Sequence, residues 1–128
     1  MTRRLEQQIQ RAVIDHLAWR ACPGVWWCHI PNGGWRSKIE ASILRGQGVK
    51  SGTPDLLIIA DGKAYFLELK APRGRISPSQ HECHEALCAA GARVAVAHDI
   101  DQALARLAAW QLLRGSAPMS LRCRRRAS

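Results

Sequence analysis

Asp61-Gly62 stands between two apolar runs, Leu56-Leu57-Ile58-Ile59-Ala60 and Lys63-Ala64-Tyr65-Phe66-Leu67-Glu68-Leu69-Lys70, and no other short segment restricts the fold as much. Asp-Gly adopts the positive-φ conformations that a two-residue hairpin turn demands, and branched or aromatic residues on either side supply the strands. Such a loop makes Ala60 face Lys63. Five steps back along each strand, Asp55 then opposes Glu68, with both side chains on one face of the sheet. Strand alternation adds Lys70 to that face and turns Leu69 away from it.

Like charges directly opposite each other destabilise a strand pair, and an apolar hairpin gains nothing structurally from carrying two carboxylates. A cation between them removes the conflict. Hard oxygen ligands at this separation suit Mg²⁺ or Mn²⁺, with the backbone carbonyl of Leu69 as a further ligand. Lys70 is placed to orient or deprotonate an attacking water and to offset charge developing on a phosphoryl group. A lone E-x-K is a weak signal, because a turn-ending Asp and ordinary surface charges produce the same letters. The conjunction decides: Pro54-Asp55 opens one strand, Glu68-Leu69-Lys70 ends the next, and the register sets them face to face.

Charge points the same way. The net charge of +9 arises from 19 basic against 10 acidic residues, and 15 of the basic ones are Arg, whose planar fork matches phosphate. Arg122, Arg124, Arg125 and Arg126 form a basic tail; taking those four from +9 leaves +5, so a polyanionic partner does not rest on the tail alone. A chain of 128 residues with an ordinary apolar content has room for one packed unit. The expected division is a single domain over 1–115 and a flexible basic tail over 116–128. Five irregularly spaced cysteines and a polar N-terminus, Met1-Thr2-Arg3-Arg4-Leu5-Glu6-Gln7-Gln8, give the expectation of a cytoplasmic protein with reduced thiols. No apolar stretch reaches the ~18 residues that a membrane span needs, so no membrane partner is expected.

The remaining elements follow from periodicity and punctuation. Leu5, Ile9, Ala12, Val13 and Leu17 have helical spacing. Val25-Trp26-Trp27-Cys28-His29-Ile30 reads as a strand ended by Pro31-Asn32-Gly33-Gly34. Ser37 with Glu40 caps a short helix to about Arg45, followed by a glycine-rich loop to Pro54. Ser77-Pro78-Ser79-Gln80 opens a helix that stops at Gly91; Ala92 to Ala97 forms a strand; Asp99 and Gln102 open a last helix containing Leu104, Leu107 and Leu113. The order is α β α β β α β α. Trp19, Trp26, Trp27, Trp35 and Trp110 are expected mostly in the core, with one or more left for a dimer interface or for stacking on bases.

An ordered set of motifs now resembles the PD-(D/E)xK nucleases of restriction-endonuclease-like fold, and more closely their virus-type replication-repair branch, VRR-NUC. It comprises Glu6 in the first helix, His29-x-Pro31-Asn32, Gly48-Val49-x-x-Gly52-x-Pro54-Asp55, Glu68-Leu69-Lys70 and Ser79-Gln80, spanning roughly Glu6 to Val96. The resemblance implies an α/β fold with a mixed central sheet flanked by helices. It also implies Mg²⁺ or Mn²⁺ held by Asp55, Glu68 and the Leu69 carbonyl, with Lys70 in the catalytic role. It suggests that Glu6 reaches the metal directly or through water and that Gln80 supports the site or touches DNA. An acid in a first helical turn accounts equally for Glu6, and the capping box for Gln80. Single-domain members of the branch look like homodimeric enzymes acting on branched DNA, and symmetric cutting of a four-way junction does need two sites about a two-fold axis.

Lys50, His29, Asn32, Arg73 and Arg75 are the candidate DNA contacts, although a local hydrogen bond would satisfy His29 as well. His81, His84 and Cys88 share a helical face without the i, i+4 histidines of a metalloprotease helix, so packing explains them better than zinc. The Gly46 to Thr53 loop lacks the P-loop pattern. Two functions of different class remain: a metal-dependent, structure-selective DNA endonuclease, and a non-catalytic DNA-binding accessory module on the same fold.

Overall fold

The computed structural model describes residues 2–31 and 37–115. Asn32, Trp35 and the 116–128 tail, all singled out above, lie outside them. Helices α1 (Thr2–Arg20), α2 (Lys38–Gly46), α3 (Pro78–Ala89) and α4 (Ile100–Ala109) alternate with strands β1 (Trp26–His29), β2 (Leu56–Ala60), β3 (Lys63–Leu69) and β4 (Arg93–Ala97) in the expected order. The strands form one mixed sheet, β1-β2-β3-β4, antiparallel except for β3 against β4. A parallel neighbour requires a crossover, which α3 supplies.

The central hairpin has the register that its turn dictates: Ala60 pairs with Lys63 and Leu56 with Leu67. Asp61 and Gly62 both take positive φ, 53° and 74°, the combination that matches the twist of paired strands. Leu56, Ile58, Tyr65, Leu67 and Leu69 project to one face, where Val13 and Leu17 of α1 and Ala103 and Leu107 of α4 cover them. Each fully buried leucine or isoleucine there contributes about 1.5–3 kcal/mol. Phe66, Glu68, Val94 and Val96 occupy the other face, toward α3.

All three expected caps are present. Ser77 and Gln80 form the full reciprocal box. Ser37 accepts from the Glu40 N–H. Asp99 accepts from the Gln102 N–H, while the Gln102 side chain reaches one residue further back, to the His98 N–H.

Two expectations fail. Leu113 is not helical: Gln111 takes φ 62° and ends α4, and Leu113 instead forms a bridge with Ala21. The tryptophans are less buried than expected, with Trp19 77% and Trp26 55% exposed and Trp27 and Trp110 only packed against the edge of the core. Cys28, Cys83 and Cys88 are free thiols. No helix among the described residues is long and apolar enough to cross a membrane.

Candidate active site

Asp55 immediately precedes β2, at the position that the hairpin register carries opposite Glu68. Backbone contacts hold it there. Its carbonyl accepts from the Ile30 N–H at 2.7 Å and, with the imidazole protonated at Nδ1, from His29 at 2.9 Å. His29 therefore fastens the end of β1 to the start of β2. Pro54 is fully buried beneath the turn.

The loop before it depends on Gly52. This residue has φ +80°, and a Cβ placed on it would lie 2.3 Å from the Ser79 carbonyl oxygen. Only a residue without a side chain lets the loop pass so close to the first turn of α3. Gly52 thus lets the loop pass that helix just before Asp55.

The Asp55 carboxylate accepts the Leu69 N–H at 2.7 Å through Oδ2. The Lys70 N–H points the other way, to the Ala97 carbonyl on β4 at 2.9 Å. By strand alternation the Leu69 carbonyl therefore faces the same side as its N–H, toward Asp55. One residue further on, the Ala71 N–H donates to Glu6 Oε2 at 3.2 Å, tying α1 to the end of β3. Asp55, Glu6 and Leu69 line a cleft of about 420 Å³ beside α1, with His29, Arg3 and Gln7 on its walls.

Glu68 lies behind that wall, only 3% exposed. Its carboxyl is pushed up to about 9 from 4.5, first by burial, then by the hydrogen bond and negative charge of Asp55, with Glu6 adding and Lys70 opposing. The two carboxylates share their space at the cost of a proton. Lys70 is half-buried on the Glu68 side of β3, and the Gly74 turn packs against its Cβ.

His84 is the neighbour that sequence reasoning missed. From α3 its Nε2 comes within 3.3 Å of Glu68 Oε1, and it is 8% exposed. Burial, followed by the charges of His81 and Lys70, lowers its pKa, against an opposing effect of Asp55. The helical face His81, His84 and Cys88 was visible in the sequence; that this face lies over β4 beside Glu68 required the tertiary structure. His81 turns to solvent and pairs with Glu85 at 2.7 Å.

The other candidates are placed as follows. The Gln80 side chain accepts the Ser77 N–H at 2.9 Å in the capping box. Lys50 is exposed and borders a separate groove between its loop and α3, with Ser51, Ser79 and Cys83. Arg73 and Arg75 are exposed on the loop between β3 and α3. Among the described residues, no group of three or more His, Cys, Asp and Glu side chains is gathered so as to hold a metal ion.

Residues 4–99 match the family model described as the VRR-NUC domain. No curated protein matches the chain. A solved structure described as "VRR_NUC domain protein" is 24% identical and superposes with a TM-score of 0.69, over 83% of this chain and 87% of that one. Another, described as "VRR_NUC domain", is 23% identical with a TM-score of 0.55, over 81% and 94%. At these identities the structural likeness establishes the fold.

Proposed function

This chain belongs to the VRR-NUC family, whose members are nucleases, and we propose that it is a Mg²⁺- or Mn²⁺-dependent DNA endonuclease selective for branched DNA such as flaps or four-way junctions. The observation that carries this reading is the apposition of Asp55 and Glu68 across the hairpin, one carboxylate on a cleft and the other buried behind it with its carboxyl pushed up to about 9.

The residues present fit such an ion. Asp55, Glu68 and the Leu69 carbonyl offer hard oxygens, and a site with so few protein ligands suits a cation that keeps several waters. Once bound, the ion would lower the pKa of a coordinated water and neutralise phosphate charge. Lys70 Nζ then orients the attacking water and offsets the charge gained by the scissile phosphate. Glu6, already fixed at the end of β3 through Ala71, would help to hold the ion directly or through water, and Gln80 would steady the α3 side of the site. Arg73, Arg75, Lys50, His29 and Asn32 are the DNA contacts of this reading, mainly through phosphates.

A homodimer would place two such sites about a two-fold axis, as symmetric cleavage of a junction needs. Exposed Trp26 with its cross-strand partner Ile59, and Ile39 and Ile43 on α2, provide apolar surface for that contact. The test is a panel of duplex, flap, Y and four-way DNA with Mg²⁺ or Mn²⁺. Cleavage concentrated on the branched substrates is expected. Equal cutting of plain duplex would remove the branched-DNA selectivity, and binding without cleavage on every substrate would instead make the chain an accessory module.

A further inference from the structure

We propose that His84 is a positioning residue for the metal-binding carboxylate: from α3 it fixes the orientation of Glu68 through a hydrogen bond between Nε2 and Oε1. The inference rests on the reading of Asp55 and Glu68 as metal ligands. It concerns a residue sixteen positions along the chain, on a different element.

Both partners are buried, and they meet because of the topology. Glu68 pairs in register with Val96, and His84 lies beside Val94 and Val96 where α3 covers β4. The imidazole therefore crosses β4 to reach Glu68. A position packed on a strand is filled equally well by leucine or methionine, and a buried polar group is costly unless it is paired. An imidazole is favoured there because its neighbour is a carboxylate.

A glutamate side chain has three rotatable bonds, and apolar surroundings do not select which way its two oxygens point. The hydrogen bond holds Oε1 toward α3 and so commits the carboxylate plane relative to Asp55. The helix itself is anchored by the Ser77–Gln80 box and by the contact of Gly52 with Ser79, so the imidazole is carried on a fixed support. With a cation bound the carboxylate would be ionised and would only accept, so the arrangement then requires the proton on Nε2 and a bare Nδ1. Partners that orient a metal-binding group in this way typically alter metal affinity ten- to a hundred-fold when removed.

Calorimetric titration of the full chain with Mn²⁺ tests the role, with thermal unfolding of the metal-free protein measured alongside. His84→Leu keeps the volume and removes the donor. It is expected to weaken Mn²⁺ binding about ten- to a hundred-fold while the metal-free unfolding temperature holds or rises, and His84→Gln, which restores an N–H, recovers part of the affinity. Wild-type affinity in His84→Leu would overturn the positioning role and leave the metal site standing. Absence of Mn²⁺ binding in the wild type would overturn both. The nitrogen-15 spectrum of the wild-type imidazole in Mg²⁺ reads the same contact without a substitution: an Nε2–H tautomer is expected, and an Nδ1–H tautomer contradicts the proposal.

Discussion

Glu68 has Asp55 on one side, His84 on the other and almost no solvent, so its ionisation is tied to the fold. A carboxyl raised from 4.5 to about 9 favours the protonated form in the native state. Its contribution to stability is then fully present below pH 4.5 and is lost as pH rises through about 9. Urea denaturation of metal-free protein between about pH 7 and 10, a window above the lowered pKa of His84, should show stability falling with pH. Glu68→Gln should flatten that slope, and identical slopes in the two proteins would show that burial does not raise this carboxyl. Gly52 is the other residue on which the site turns. Gly52→Ala must place a Cβ 2.3 Å from the Ser79 carbonyl at φ +80°, whereas an added Cβ at Gly62, at φ +74°, meets nothing within 4 Å. Both pay about 1–2 kcal/mol for the backbone conformation. Gly52→Ala should lose clearly more than Gly62→Ala on urea denaturation, and equal losses would contradict the close approach of loop and helix.

At the level of elements, the sequence was most legible where local chemistry determines geometry. The Asp61-Gly62 turn sets the strand register by itself, and the register opposes Asp55 to Glu68 without reference to the rest of the chain. The boundaries of α2 and α3 follow from caps made within four residues. Ser77→Ala should therefore cost about 1 kcal/mol in urea denaturation, and a negligible loss would mean that α3 is held by packing alone. Gln80→Ala should lose a similar amount, since Oε1 of Gln80 completes the same box; a fall in cleavage beyond the loss of folded protein assigns it the additional role near the site. Less was legible where an element's surroundings matter. The apolar pattern of α1 included Leu5, which is 44% exposed, whereas Val13 and Leu17 of the same pattern are buried in the core. Leu113 continues the α4 periodicity on paper, yet Gln111 reverses the chain before it. His84 could not be assigned to Glu68 from spacing, because their contact depends on α3 lying over β4.

For the whole molecule, composition indicated one basic unit, and the family match over residues 4–99 falls on the described core. The tryptophan count was a poor guide to burial: a four-stranded sheet with β1 at its edge has too little cover for every aromatic, and Trp26 stays on the open surface beside Ile59. If that surface and α2 form the dimer contact, sedimentation should give a dimer for the wild type and a monomer for Trp26→Glu combined with Ile43→Glu, with unfolding temperature little changed. A wild-type monomer at assay concentration would remove the two-fold arrangement from the account. The central claim is that Asp55 and Lys70 hydrolyse DNA through a divalent cation. Its most direct measurement is cleavage of labelled branched DNA by wild type, Asp55→Ala and Lys70→Ala, each with Mn²⁺ and with chelator. Cutting by the wild type in Mn²⁺ only, reduced at least about a thousandfold in both variants while they remain folded and bind DNA, is the predicted result; cleavage that persists in either variant or in chelator contradicts it.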